Sequence, residues 1–148
     1  MDTQSEPYKF GVRVFSVRYM IKKVAIIGGG VIGGGWAARF LLNGLDVYVY
    51  DPDPNADQTL LEVIDNARFS LPMLYESKLP NEGKIKFCKN VTQAVVDADW
   101  IQESVPERLN VKHDVYEEIQ TSCPDSAIIA SSTSGFKPSE LQENSKAP

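Results

Sequence analysis

The chain has one histidine, His113, in 148 residues, so no multi-histidine metal site can be assembled from it. Its two cysteines, Cys88 and Cys123, form no C-x-x-C pair. Isolated thiols of this kind read as buried and reduced. No run of 18 apolar residues is present, which gives no membrane span. The stretch from Met1 to Tyr19 has no apolar h-region and is interrupted by Arg13 and Arg18, so it does not read as a signal peptide. No Lys/Arg block occurs, and 20 acidic residues outweigh 15 basic ones for a net charge of -5. That balance disfavours nucleic acid and anionic membrane as partners. There is no internal repeat and no low-complexity segment. What remains is a cytoplasmic protein that handles small molecules.

What is present suits a single core. Apolar residues make up 43% and charged residues 24%, an ordinary globular balance for one domain. Met20 stands just before the first strong strand and is a second candidate start. Residues 1–20 therefore read as an extension and 21–148 as the domain.

Val24-Ala25-Ile26-Ile27 is a short apolar run ended by glycines, the pattern of a strand buried on both faces. Gly33 to Asn43 follows as a helix, with Trp36, Ala37, Phe40 and Leu41 at helical spacing and Gly44 closing it. Val47 to Tyr50 is a second strand, ended by Pro52 and Pro54. A helix over Asp57 to Leu71 should break at Pro72. Further strands are expected at Lys84–Cys88, Trp100–Ser104 and Ala127–Ala130, and helices at Thr92–Asp97, Leu109–Gln120 and Lys137–Asn144. On Leu109–Gln120 the stripe Val111, Val115, Ile119 should face the core. Strands alternating with helices give the α/β class: a Rossmann-type, doubly wound parallel sheet with right-handed crossovers.

The central motif is Gly28-Gly29-Gly30-Val31-Ile32-Gly33, a G-x-G-x-x-G. Alone it is a weak signal. Here it follows a strand, opens a helix, and is answered by Asp51 at the end of the next strand, about 20 residues on. Gly28 permits the tight turn, Gly30 lets the backbone approach a pyrophosphate, and Gly33 lets helix and sheet pack closely. The helix N-terminus offers unpaired N–H groups and partial positive charge to phosphates. Asp51 is placed to accept the adenosine ribose hydroxyls and to repel a 2′-phosphate. Residues 52–57 hold no Lys or Arg, so NAD is favoured over NADP. The alternative is a plain strand–turn–helix with glycines for packing. Gly34 and Gly35 each cost a helix about 1 kcal/mol relative to alanine. They suggest a close approach by cofactor or backbone, with loose packing as the alternative.

Ligands in such sheets sit beyond the carboxyl ends of the strands. After the expected fourth strand come Glu103, Ser104, Glu107 and Lys112; after the fifth come Ser131, Ser132, Thr133 and Ser134. Four successive hydroxyls suit a nicotinamide ribose or a substrate oxygen; a solvated turn is the alternative. His113 lies off the apolar stripe with Glu117 one turn on, and reads as an exposed surface residue.

Ile26 to Gly33, Ile101 to Glu107 and Ala130 to Gly135 together resemble the 3-hydroxyacyl-CoA dehydrogenase superfamily, and the resemblance runs from about Ile21 to the end. Within it, Gly33 to Leu42, Tyr50 to Pro54 and Ala130 to Leu141 are most similar to the L-carnitine dehydrogenases. The resemblance implies NAD as cofactor, held by Gly28, Gly29, Gly30, Val31, Ile32, Gly33, Asp51, Glu107 and Lys112. It implies an active-site serine at Ser134, no metal, and a homodimeric parent enzyme. Ser132 stands where acyl-CoA members usually carry Asn, and Ala67 to Leu74 has only Arg68 where they carry a basic helix. Both departures point away from an acyl-CoA substrate and toward carnitine.

The family's reaction transfers hydride from a C3 alcohol to nicotinamide while a histidine takes the hydroxyl proton. That histidine opens a His-Pro segment expected beyond Pro148, as is the helical C-terminal domain. The chain is therefore expected to bind NAD as part of a longer enzyme and not to catalyse alone. A 3-hydroxyacyl-CoA, L-gulonate, and a non-catalytic NAD-binding role remain as alternatives.

Overall fold

The computed structural model describes residues 20–146, so the expected extension, apart from Met20, lies outside the described residues. The elements run β1 (Lys23–Ile27), α1 (Val31–Leu42), β2 (Asp46–Tyr50), α2 (Ala56–Ser70), β3 (Ile85–Phe87), α3 (Val91–Val95), β4 (Trp100–Glu103), α4 (Leu109–Ser122), β5 (Ile128–Ser131) and α5 (Pro138–Leu141). The strands form one sheet in the order β3-β2-β1-β4-β5, and every pairing is parallel. Strand order reverses between β1 and β4. That switch point opens a crevice at the carboxyl ends of these two strands.

β1 explains its own unbroken apolar run. Ala25 and Ile27 face a core with Val91, Val95, Ile101 and Ile119, while Val24 and Ile26 face Ala37, Leu41, Leu60 and Ile64. Both faces are covered by helices, so no polar alternation is needed. No helix among the described residues is long and apolar enough to cross a membrane.

Several local expectations are corrected. α1 starts at Val31, and Gly33 and Gly34 lie buried within its first turns. A Cβ on Gly34 would meet Val63 of α2 at 3.2 Å, whereas one on Gly35 would meet nothing within 4 Å. The close approach is therefore to a neighbouring helix and involves only Gly34. Gly44 closes α1 with φ +84°. α2 ends at Ser70, just before Pro72 as expected, and a 3-10 turn follows it. Pro72 sits in that turn, Leu71–Leu74, near a start where its missing N–H is not needed. α5 is shorter than the expected 137–144.

On α4 the buried residues are Lys112, Tyr116 and Ile119, rather than Val111, Val115 and Ile119. Val115 packs at the edge of the core. A polar cluster at the end of β4 draws in Lys112 and Tyr116 and rotates the buried face. Cys88 and Cys123 are free and half-buried, and burial pushes both thiols up.

Candidate functional site

The glycine loop joins β1 to α1 at the switch point. Gly28 has φ +98°, and a Cβ there would lie 2.6 Å from the Ser104 carbonyl oxygen. Only glycine fits both demands. A Cβ on Gly33 would lie 1.8 Å from the Gly28 carbonyl oxygen, so the helix starts tight against the turn. Gly30 is different: a Cβ there would meet nothing within 4 Å. Gly30 is also the N-cap of α1 and supplies no side-chain cap. The first turn of α1 thus keeps uncapped N–H groups beside open space, an anion-binding arrangement.

Asp51 follows β2 directly. Its Oδ2 accepts the Gly29 N–H at 2.6 Å and its Oδ1 accepts the Asp53 N–H at 2.8 Å. The two bonds fix the carboxylate beside the loop. Each oxygen keeps a further lone pair for an outside donor.

The other end of the crevice is built on two carboxylates. Glu103, the last residue of β4, is 0% exposed. Its Oε1 accepts Lys112 Nζ and the Val105 N–H, both at 2.8 Å. Its Oε2 accepts the Tyr116 hydroxyl at 2.7 Å and the Ser131 hydroxyl at 2.5 Å. Burial, with Glu103 beside it, holds the Tyr116 phenol well above its ordinary pKa. Glu107 sits further out, its side chain 42% exposed. Its Oε1 accepts the Thr133 hydroxyl and the N–H groups of Ser134 (3.2 Å) and Gly135 (3.0 Å). Lys112 Nζ lies 3.3 Å from its Oε2. The Thr133 hydroxyl, then the Gly135 amide, then Lys112 lower the Glu107 carboxyl to about 2.

Between these ends runs a groove of about 450 Å³, walled by Gly28, Gly30, Val31, Ile32 and Asp51 on one side. Ser104, Glu107, Ser132 and Ser134 form the other side. Ser132 Oγ is held by Gln102 Nε2 at 2.9 Å and by Ser104 Oγ at 2.8 Å, while Ser134 is exposed to the groove. Three of the expected cofactor residues do not line it. Gly29 anchors Asp51, Gly33 packs against Gly28, and Lys112, 1% exposed, lies beneath Glu107. A second cavity, of about 410 Å³, lies between α4, β5 and α5 and has no charged residue in its lining.

His113 is neither exposed nor paired with Glu117. Its Nε2 lies 2.7 Å from the Glu140 carbonyl, which accepts from it, and its Nδ1 lies 3.5 Å from Asn144 Nδ2. It is half-buried under α5 and outside the groove. Sequence reasoning missed the joining of Glu103, Tyr116 and Ser131. A signal existed: a carboxylate ends a buried strand, and Lys112 and Tyr116 sit one turn apart on the next helix.

Residues 23–148 match the 3-hydroxyacyl-CoA dehydrogenase, NAD binding domain, family. The chain belongs to that family. It is 63% identical over 124 residues to the L-carnitine dehydrogenase/betainyl-CoA thioesterase of Ruegeria pomeroyi, a match covering 84% of this chain and 26% of that protein. It is 54% identical over 123 residues to the L-carnitine dehydrogenase of Mesorhizobium japonicum, covering 83% and 34%. The chain thus spans about a quarter to a third of the length of these relatives. Its fold matches the crystal structure of an NAD+-dependent dismutase, 5-formyl-3-hydroxy-2-methylpyridine 4-carboxylic acid 5-dehydrogenase. That match has a TM-score of 0.75 and 37% identity, covering 84% of this chain and 40% of that one. The geometry fits the cofactor of this NAD-binding domain. Gly30 leaves room for a pyrophosphate beside α1, and Asp51 is fixed with lone pairs to spare.

Proposed function

We propose that this chain is the cofactor-binding part of an enzyme that oxidises L-carnitine to 3-dehydrocarnitine. The observation that carries the reading is the open face of Gly30 at the uncapped start of α1, with Asp51 pinned to the same loop. The amides of the first turn of α1 hold the pyrophosphate, and Asp51 receives the adenosine ribose hydroxyls. Glu107 and Ser132 hold the nicotinamide end, with Lys112 supporting Glu107 from below. Bound NAD supplies the acceptor for the hydride leaving C3. Ser134, exposed at that end, hydrogen-bonds the substrate oxygen. His113 is engaged with Glu140 and lies outside the groove, so the base that takes the hydroxyl proton is not His113. The half-buried free thiols and the acidic composition support a cytoplasmic setting, and the family resemblance supports a homodimeric parent enzyme with residues 21–148 as its NAD-binding domain.

Carnitine is preferred over an acyl-CoA on the two sequence departures, Ser132 and the sparsely basic Ala67–Leu74, and a structural detail supports the second. Arg68, the sole basic residue of Ala67–Leu74, is already paired with two carboxylates, Asp65 and Glu82, both at 2.5 Å, so a phosphate would have to compete for it. The test uses the longer enzyme that carries this chain, with its own catalytic segment, offered L-carnitine, 3-hydroxybutyryl-CoA and L-gulonate in turn. NADH formation on L-carnitine, against little on 3-hydroxybutyryl-CoA or L-gulonate, supports the reading. NADH formation on either of the others in place of carnitine overturns the substrate assignment.

A further inference from the structure

Glu103 is a fully buried carboxylate for which the proposed reaction has no use. Its four acceptor positions are already filled by Lys112, Val105 N–H, Tyr116 and Ser131, so it has no capacity left for a ligand. Whatever it does, it does through another residue.

Lys112 shows which. Its ammonium has three donors and meets three acceptors: Glu103 Oε1 at 2.8 Å, Glu107 Oε2 at 3.3 Å and the Val105 carbonyl at 3.4 Å. The buried carboxylate is the nearest of the three. It sets where the ammonium sits, and the ammonium in turn sets the face that Glu107 presents. Glu107 then gathers Thr133, Ser134 and Gly135 onto its other oxygen. Ser131 makes a second tie, donating to Glu103 while accepting the Thr133 N–H at 3.1 Å.

We propose that Glu103 is a positioning residue: acting through Lys112, it aligns Glu107 and thereby the 133–135 loop that carries Ser134. Glutamine at this site has one acceptor oxygen where four donors converge, and its amide would face donors. Lys112 would then shift toward Glu107, its one remaining charged partner, and the loop would lose register. The proposal rests on the NAD-binding reading for its effect on affinity, but its structural half stands apart from it.

The test uses the 148-residue chain with E103Q, E107Q and the double variant, read by NADH fluorescence titration and by the amide proton resonances of Ser134 and Gly135. E103Q should weaken NADH roughly tenfold, the scale of one lost hydrogen bond to a charged group. The double variant should lose far less than the product of the single losses, because both act along one route. In E103Q the Ser134 and Gly135 resonances should move upfield as their bond to Glu107 lengthens, while those of Val24 to Ile27 stay in place. Should E103Q fail to fold, E103Q/K112M removes both buried charges together and should show the same losses. Fully multiplicative losses, or unmoved Gly135 and Ser134 resonances in a folded variant, would overturn the proposal. A wild-type chain that ignores NADH would overturn the NAD reading instead, and the resonances would still decide the role of Glu103.

Discussion

Asp51 Oδ2 accepts the Gly29 N–H at 2.6 Å, binding the end of β2 to the loop that ends β1. One carboxylate therefore both shapes the glycine loop and stands at the groove where a ribose would lie. Asp51→Asn separates the two roles, since the amide oxygen can still accept Gly29. The fold should survive, NADH affinity should fall roughly tenfold, and discrimination against NADPH should largely vanish. Fluorescence titration with the two dinucleotides checks this; retained discrimination would contradict it.

Gly30 and Gly33 should respond in opposite ways. Gly30→Ala places its Cβ in open space at φ -67°, so thermal stability should fall by only a few °C, the cost of a weaker N-cap. NAD binding should fall more than about tenfold, because the phosphate approach is filled. Gly33→Ala drives a Cβ to 1.8 Å from the Gly28 carbonyl oxygen and should cost about 3 kcal/mol in urea unfolding. A Gly30→Ala as destabilised as Gly33→Ala, or a neutral Gly33→Ala, would contradict the loop geometry.

Glu107 predicts a pH dependence with a definite sign. Its carboxyl is lowered from 4.5 to about 2 in the folded chain. Its stabilising contribution is present above pH 4.5 and is lost as pH falls toward 2. The stability difference between wild type and Glu107→Gln, followed by urea unfolding, should be constant from pH 7 to 5 and shrink below pH 4.5. A gap that widens on acidification would reverse the assignment.

Ser134 makes no part of the fold through its hydroxyl in the bonds described above; its backbone N–H does that. Ser134→Ala should leave NADH affinity within about twofold and lower kcat of the longer enzyme by about tenfold to a hundredfold on L-carnitine. NADH fluorescence titration measures the first quantity and initial rates at saturating NAD the second. A selective loss of NADH binding would move Ser134 from the substrate to the cofactor.

The parts of this molecule that could be read from sequence are those set by local rules. β1 announces itself through an apolar run with both faces covered, and Gly28, Gly33 and Gly44 through conformations or contacts a Cβ would spoil. The parts that could not be read depend on partners distant in the chain. The buried face of α4 was hidden because Lys112 and Tyr116 count as polar until Glu103 is known to receive them. His113 reads as exposed in sequence because nothing local places Glu140, 27 residues away, beside it. Gly34 and Gly35 look alike in sequence, and only the position of Val63 separates them.

The groove beside Gly30 and Asp51 is proposed as a working NAD site. Calorimetric titration of the 148-residue chain with NAD and, separately, with NADP tests it most directly. Clear NAD binding and much weaker NADP binding are expected. No NAD binding by a chain shown to be folded, or equal binding of both dinucleotides, would contradict it.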